Sequence, residues 1–403
     1  MKLLGANMDH AKRFNRRVVL ETIRLQAPLS RAEITRATGL APQTISNIIA
    51  ELSEAGLVRN VNRRSGARGQ PAVELDLNPD GGFTFGISFS HGVLLVILTD
   101  VAGTVRDRVK LELPSGAPEA VLDEIARTTA EMLTRQNVAR RRVWGVGLVI
   151  PAILEDDRLV ALGETTLPGW KDLPLRQSLQ NKLELPVLLE NDATAAAIGE
   201  RLYGAGKSLT DFAYIYVGAG IGGGLFLRGQ PYRGGYGKSG EIGHLVVDTG
   251  GRPCPCGNRG CLERYASVAL ALRALDEGRG DAIRHDDLDR ISRALADGDP
   301  RLSVWLDEAA ASLRQAIVMI ENMLDPQAVV LGGVLPQPVL AALIKRILPL
   351  PRSVSSNNAE IPRIIAAEMG PDTPALGAAT LPIFDGMSPE LSLLFKQDVV
   401  EPL

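Results

Sequence analysis

The chain has 403 residues, 45% of them hydrophobic and 23% charged, with a formal net charge of −3 at pH 7. That apolar content supports sizeable cores in about two or three domains. The polar N-terminus "MKLLGANMDHAKRFNRR" and the lack of any ~18-residue apolar run free of charge or proline exclude a signal region and a membrane span, so a globular, cytoplasmic protein with no membrane partner is expected.

Charge divides the chain unevenly. Residues 1–75 hold 12 Lys and Arg against 6 Asp and Glu, a balance of +6, which leaves 32 against 41, or −9, for the rest. A basic N-terminal end suits a polyanionic partner.

In chain order, "RRVVLETIRLQAP" places Val18, Val19, Ile23 and Leu25 at helical spacing and closes at Pro28. "SRAEITRATG" predicts a short second helix, with Ser30 and Glu33 at capping-box spacing and Gly39 just past its end. A third helix follows from Pro42, burying Ile45, Ile48, Ile49 and Leu52, so that Gln43, Thr44, Ser46 and Asn47 face outward at its start. Short polar side chains there are what a helix-turn-helix offers to base edges in the major groove. The stretch "RNVNRRSGARGQPAVELDL" reads as a hairpin wing with Arg63, Arg64 and Arg68 at its tip, suited to phosphates or a narrow minor groove. Three short helices and a charged loop could also form a small solvated bundle. The tight turn, polar helix start, basic wing and charge excess converge instead on DNA, and "SRAEITRATGLAPQTISNIIAELSEAGLV" resembles bacterial winged-helix regulators.

Beyond residue 77 the pattern changes. "FTFGISF", "VLLVILT" and "RVKLEL" read as strands, followed by a helix from about Pro118 to Gln136 and the strand "VWGVGLVI". A similar order recurs later: "FAYIYVG", "GGLFLRG" and "HLVVD" as strands, helices including "RLSVWLDEAAASLRQAIVMIENML", then the strand "AVVLGG". Strands alternating with helices indicate an α/β fold, and the recurrence indicates two similar lobes with a ligand cleft between them. All three cysteines, Cys254, Cys256 and Cys261, fall within eight positions. In a reducing compartment such a cluster points to metal rather than to disulfides, and an odd number cannot pair off internally.

Four stretches of this body carry a resemblance: "ENDATAAAIGE" at 190–200, "GAGIGGGLFLRG" at 218–229, "GEIGH" at 240–244 and "CPCGNRGCLE" at 254–263. In order and spacing they resemble the ROK family of bacterial repressors and sugar kinases, and with the N-terminal module the likeness covers nearly the whole chain. It implies an N-terminal all-α winged helix-turn-helix followed by a two-lobed α/β, actin-like (ribonuclease H-like) body. The expected domains are 1–77 for DNA binding, 78–195 for the first lobe with a helix at about 372–386 returning to it, and 196–371 for the second lobe.

Cys254 and Cys256 can reach one metal from a tight loop, Gly257 and Gly260 let the backbone turn back, and Cys261 closes the set. Of only four histidines His244 lies ten residues ahead, so a Cys₃His zinc site follows from spacing and agrees with the family pattern. Four protein ligands leave no open position, which makes the zinc structural. The resemblance implies that Glu241, His244 and Glu263 hydrogen-bond sugar hydroxyls. It also implies that Asn191 and Asp192 form a sugar-binding pair, with Asp192 where family kinases place the general base. Singly, each would more often be a solvated acid or a helix cap.

Departures from the family decide between enzyme and sensor. Where family kinases carry an Asp-x-Gly-Gly-Thr phosphate loop, this chain has "GISFSHGVL", with Ser88 at the aspartate and Ser90 and His91 at the glycines. In the second glycine-rich loop, Gly218, Gly220, Gly222, Gly223 and Gly224 remain, but Ala219 stands at the usual threonine. Those glycines could serve a tight turn as readily as a phosphate. "ETTLPGW" puts Thr166 at a family asparagine, with Glu164 nearby as another polar contact. Without an anionic metal holder, in-line transfer from Mg-ATP lacks its clamp. The expectation is a sugar-responsive repressor of carbohydrate genes, binding operator DNA and a sugar or sugar phosphate as a homodimer or homotetramer. A bifunctional ATP-dependent sugar kinase with a DNA-binding module is the runner-up, and a regulator answering to a transport component is a third reading.

Overall fold

The computed structural model describes residues 8–64, 72–90, 92–113, 116–150, 153–155, 158–160, 169–170, 173–276, 286–354 and 360–389. It begins with α1 (Met8–Gln26), β1 (Leu29–Ser30), α2 (Arg31–Thr38), α3 (Pro42–Glu54), β2 (Val58–Arg64) and β3 (Ala72–Leu77). The capping box forms as read: Ser30 Oγ accepts from the Glu33 backbone N–H at 3.3 Å, and the Glu33 carboxylate accepts from the Ser30 N–H at 2.8 Å. Gly39 ends α2 at φ +68°, a left-handed turn that starts the chain toward Pro42. Ile34, Ile45, Ile48, Ile49 and Leu52 are buried with Val19, Leu20 and Ile23 of α1. The helical module carries its wing in a small sheet. Its strands form a three-stranded antiparallel sheet in the order β1-β3-β2, because an isolated wing hairpin is marginal in water and gains a third strand when Leu29 pairs with Leu75 and Ser30 with Glu74.

The body opens with β4 (Phe83–Ser90), β5 (Val93–Asp100), β6 (Val105–Glu112), α4 (Pro118–Arg135) and β7 (Val143–Val149). A ribbon of β8 (Ile153–Glu155) and β9 (Arg158–Val160), then α5 (Leu175–Leu183) and β10 (Val187–Glu190), complete the first lobe's share. Its sheet runs β10-β7-β4-β5-β6, with β4 to β6 antiparallel and β4, β7 and β10 parallel. β7 is buried along its whole length, which explains its unbroken apolar run.

The chain then forms α6 (Asp192–Tyr203), β11 (Phe212–Val217), β12 (Ile221–Leu227), β13 (Gln230–Pro231), α7 (Glu263–Ala266), α8 (Val268–Leu275) and α9 (Asp287–Ala296). α10 (Pro300–Leu324), β14 (Ala328–Gly333), α11 (Gln337–Ile347), β15 (Ile364–Ala366) and α12 (Thr373–Met387) follow. The second sheet, β13-β12-β11-β14-β15, repeats the first: an antiparallel meander, then parallel strands laid on the other side of the starting strand. α12 crosses back over the first sheet, where a Cβ on Gly86 or Gly147 would stand 1.9 Å from the carbonyl oxygens of Ala375 and Ala378 respectively. α6 packs against α12 through Gly377 and against β12 through Gly222 and Gly224, where Ala193 and Ala197 approach too closely for larger side chains. Among the described residues no helix is long and apolar enough to cross a membrane.

One expected strand is absent. "HLVVD" begins in the 3₁₀ turn Ile242–His244 and keeps a single bridge, Val246 to Cys261. Its backbone groups pair with the cysteine loop instead of the sheet: Val247 N–H donates to Gly260 O at 2.9 Å, and Leu262 N–H donates to Leu245 O at 2.9 Å. The apparent alternation comes from Val247, buried in the core, beside Val246, which is 42% exposed.

Candidate functional site

The loop after β13 gathers the three thiols and His244. Their ligand atoms all lie within 4.8 Å of one another. His244 Nδ1 is 3.7 Å from Cys254 Sγ, and Cys256 Sγ is 3.7 Å from Cys261 Sγ. Zinc–sulfur and zinc–nitrogen bonds of about 2.3 and 2.0–2.1 Å imply tetrahedral edges of roughly 3.5–3.8 Å, so both separations fit one ion. Gly260 makes the loop possible at φ +75°, since a Cβ there would stand 1.7 Å from Asp248 O. Burial pushes the Cys254 and Cys261 thiols up, while the Asn258 backbone N–H pulls exposed Cys256 down. Buried, close-set thiols are costly to ionise alone, and a dication removes that cost.

A line of polar groups leads from this cluster. His244 Nδ1 is also 3.6 Å from Glu263 Oε1, and its Nε2 is 4.0 Å from Glu241 Oε2. If Nδ1 takes the metal, Nε2 is the nitrogen left facing Glu241. Beyond Glu241 comes Asp192, the first residue of α6. Burial raises Asp192 to about 6 against the pull of the Ala193 N–H, and the Glu241 charge adds to the rise. Asn191 caps α6, its side-chain oxygen accepting from the Thr194 N–H at 2.7 Å. That oxygen is committed to the helix, so a ligand would meet the amide NH₂ instead. Glu241, His244 and Glu263 thus stand together on the metal loop, and the Glu241 charge acts on Asp192 at the N-terminus of α6.

Glu164, Thr166, Arg68 and His91 lie outside the described residues, as do the side chains of Arg63 and Arg64, whose backbone ends β2. In α3, Gln43, Ser46 and Asn47 are exposed and Thr44 is half-buried. Gln43 Nε2 donates to Asn47 Oδ1 at 3.0 Å, a bond that a base contact by Asn47 would have to replace. Ser88 ends the run of β4 that pairs with β7, opposite Val149, and lies opposite Leu95 of β5, with which β4 stays paired as far as Ser90. The glycine-rich stretch serves two structural purposes. Gly218 and Gly220 bracket the turn from β11 to β12, with Gly218 N–H donating to Gly220 O, whereas Gly222 and Gly224 admit α6 on one face of β12 and Gly223 admits the Gly240 carbonyl and the Ile242 side chain on the other.

Two ion-pair groups had no sequence signal. Arg233, in the loop after β13, pairs with Glu190 at the end of β10, directly before Asn191. Arg24 of α1 is buried: it holds Glu21 through two nitrogens at 2.7 and 2.8 Å, donates to Leu202 O, and lies 5.8 Å from the Tyr203 ring centroid. Arg201 approaches Glu21 at 3.5 Å. In the sequence Arg24 reads as one more basic residue of a DNA-binding module, because Leu202, the carbonyl partner in the body, lies 178 residues away.

Comparison with known proteins gives two family matches, ROK over residues 85–383 and winged helix-turn-helix DNA-binding over residues 15–59. The xylose repressor of Bacillus subtilis (strain 168) is 29% identical over 381 residues, covering 94% of this chain and 97% of the repressor. The DNA-binding transcriptional repressor Mlc of Escherichia coli (strain K12) is 27% identical, over 81% and 82%. Among solved structures, a ROK family transcriptional regulator homologous to E. coli MLC superposes with a TM-score of 0.71 at 24% identity, over 96% of this chain and 100% of that one. A ROK family glucokinase from Streptomyces griseus, in complex with glucose and AMPPNP, gives 0.58 at 27% identity, over 74% and 99%.

Proposed function

The chain belongs to the ROK family, and from that premise we propose how it works: it is a sugar-responsive transcriptional repressor whose cleft takes the sugar and whose N-terminal module takes operator DNA. The observation that carries this is the joining of the two in one chain, a winged helix-turn-helix docked on a ROK body, in the arrangement that the xylose repressor of B. subtilis shares over nearly its whole length. Boundaries near 77 and 195, with α12 assigned to the first lobe, divide the chain accordingly.

Asp192, Glu241 and Glu263 would accept hydroxyl hydrogen bonds, while the Asn191 amide NH₂ and the Nε2–H of His244 would donate them. A zinc ion on His244, Cys254, Cys256 and Cys261 would supply no chemistry of its own. It would fix the ring of His244 and the backbone bearing Glu241 and Glu263. Gln43, Thr44, Ser46 and Asn47 would read bases, with Arg63, Arg64 and Arg68 on the DNA backbone. A homodimer would match two half-sites. Sugar binding would favour the cleft conformation that holds the DNA-binding modules out of register with them.

A sugar kinase is the second reading. The likeness to the Streptomyces glucokinase and the raised Asp192 carboxyl, suited to a general base, favour it. Ser88 speaks against it, because a neutral hydroxyl offers no charge to hold a metal–nucleotide. The test is a thermal-shift panel of the full chain with D-xylose, D-glucose, N-acetyl-D-glucosamine and their phosphates, beside a duplex selected from random DNA. A sugar that binds the native fold raises its melting temperature. The reading requires one such sugar, and requires that sugar to change the affinity for the selected duplex. A panel without either effect overturns it.

A further inference from the structure

α6 has a different partner at each end. At its N-terminus stand Asn191, which caps the helix, and Asp192, which feels the charge of Glu241 from the metal loop. Twelve residues, or about 18 Å, further on, its last turn meets the DNA-binding module: the Leu202 carbonyl accepts from Arg24, the Tyr203 ring lies near the same guanidinium, and Arg201 stands 3.5 Å from Glu21. The contact is well enclosed, with the side chains of Arg24, Arg201 and Glu21 2%, 12% and 13% exposed. A cation against the final carbonyls of a helix also gains from the helix dipole. Tyr203 ties the same turn to the first lobe by donating its hydroxyl to Val101 O at 2.7 Å.

On the faces that pack against β12 and α12, α6 has little that could absorb a displacement. Ala193 and Ala197 face Gly222 and Gly224, and Ala195 faces Gly377, at near-backbone distance, while Gly199 lies against the Met369 side chain and Gly377. At the alanine–glycine contacts no side chain can damp a shift by changing rotamer. A shift at Asp192 therefore reaches Tyr203 as movement of the whole helix.

We infer that α6 transmits the state of the sugar cleft to the DNA-binding module, and that the Arg201–Glu21–Arg24 contact is where the transmission enters α1. This rests on the repressor reading above. Arg201 touches neither cleft nor DNA; it is a positioning residue. Its removal should leave both binding events in place and uncouple them.

The experiment measures duplex affinity of the full chain with and without a saturating sugar, chosen as whichever of D-xylose, D-glucose, N-acetyl-D-glucosamine or their phosphates raises the wild-type melting temperature. Wild type should show a change of about fivefold or more, the lower range of allosteric coupling. Arg201→Met should reduce it to less than about twofold, with sugar affinity and sugar-free duplex affinity each within about threefold of wild type. Arg201→Lys, which keeps a cation near Glu21, should retain the greater part. Glu21→Gln approaches the same contact from α1, should uncouple likewise, and serves if Arg201→Met does not fold. Variants coupled as strongly as wild type overturn the relay and leave the repressor reading standing. A wild-type chain whose duplex affinity ignores every sugar overturns the repressor reading, and the relay with it.

Discussion

The two lobes share one strand order and differ in what hangs from it. In the first, the meander β4-β5-β6 leads through one helix to β7. In the second, the equivalent meander β11-β12-β13 reaches β14 only after the loop that gathers His244 and the three cysteines, followed by four helices. The turns closing the first two strands differ as well: the first lobe ends β4 in Ser88 and Ser90, whereas the second brackets its turn with Gly218 and Gly220. The shared scaffold is the five-stranded sheet, and the second lobe adds to it the His244–cysteine cluster with Glu241 and Glu263 beside it.

Breaking the addition should hurt more than trimming what it holds. Cys254→Ser removes a buried member of the cluster. Metal content should fall from about one zinc per chain toward none, and sugar affinity by ~100-fold or more, while the separate N-terminal module keeps most of its DNA affinity. Elemental analysis and sugar titration check this. Metal-free wild-type protein, purified without chelator, would remove the basis of the comparison.

The DNA surface should behave oppositely, its losses independent of sugar. Asn47→Ala should cost ~1–3 kcal/mol of discrimination between selected and random duplex, whereas Arg63→Ala should weaken both alike and lower the salt slope by ~1. Affinity against salt concentration separates the two. Equal erosion of discrimination by both variants would contradict the assignment.

Much of this division can be read from sequence, and the limits have physical causes. Ser30, Glu33 and Gly39 declare the second helix because caps are local, and each found its predicted bond. The repeat of strands and helices shows through the apolar runs. Clustered thiols with one histidine show through spacing alone, since all four lie within eighteen residues. "HLVVD" misled because alternation records burial and not pairing, and its partner is the cysteine loop. Arg233 with Glu190, and Arg24 with Leu202, could not be read, because no local pattern marks a pair that only the folded chain brings together.

Within the cleft, Asp192→Asn should raise the sugar concentration for half-release of DNA by ~10-fold, as expected for replacing a charged acceptor by an amide. Sugar-free DNA affinity should stay unchanged. A DNA-binding loss of equal size without sugar would show that Asp192 supports the module and not the ligand.

The smallest effect is one of pH. The folded carboxyl of Asp192, raised to about 6 from 3.8, holds its proton more tightly than the unfolded one. Its contribution favours the fold below the unfolded value and is lost as pH rises through about 6. Discounted for partial access to water, that is about 1–2 kcal/mol. Asp192→Asn should therefore be more stable relative to wild type at pH 7.5 than at pH 4. Denaturant melts at the two values check it, and identical differences at both would contradict the burial of this group.

A cleft that senses a sugar without transferring phosphate separates DNA release from ATP turnover. Duplex release and ATP consumption are followed in one sample as the sugar identified by thermal shift is added with Mg-ATP. Saturable DNA release with no sugar-dependent ATP turnover is expected. Sugar-dependent turnover at roughly 1 per second or faster, the range of working enzymes, would contradict it and establish the kinase.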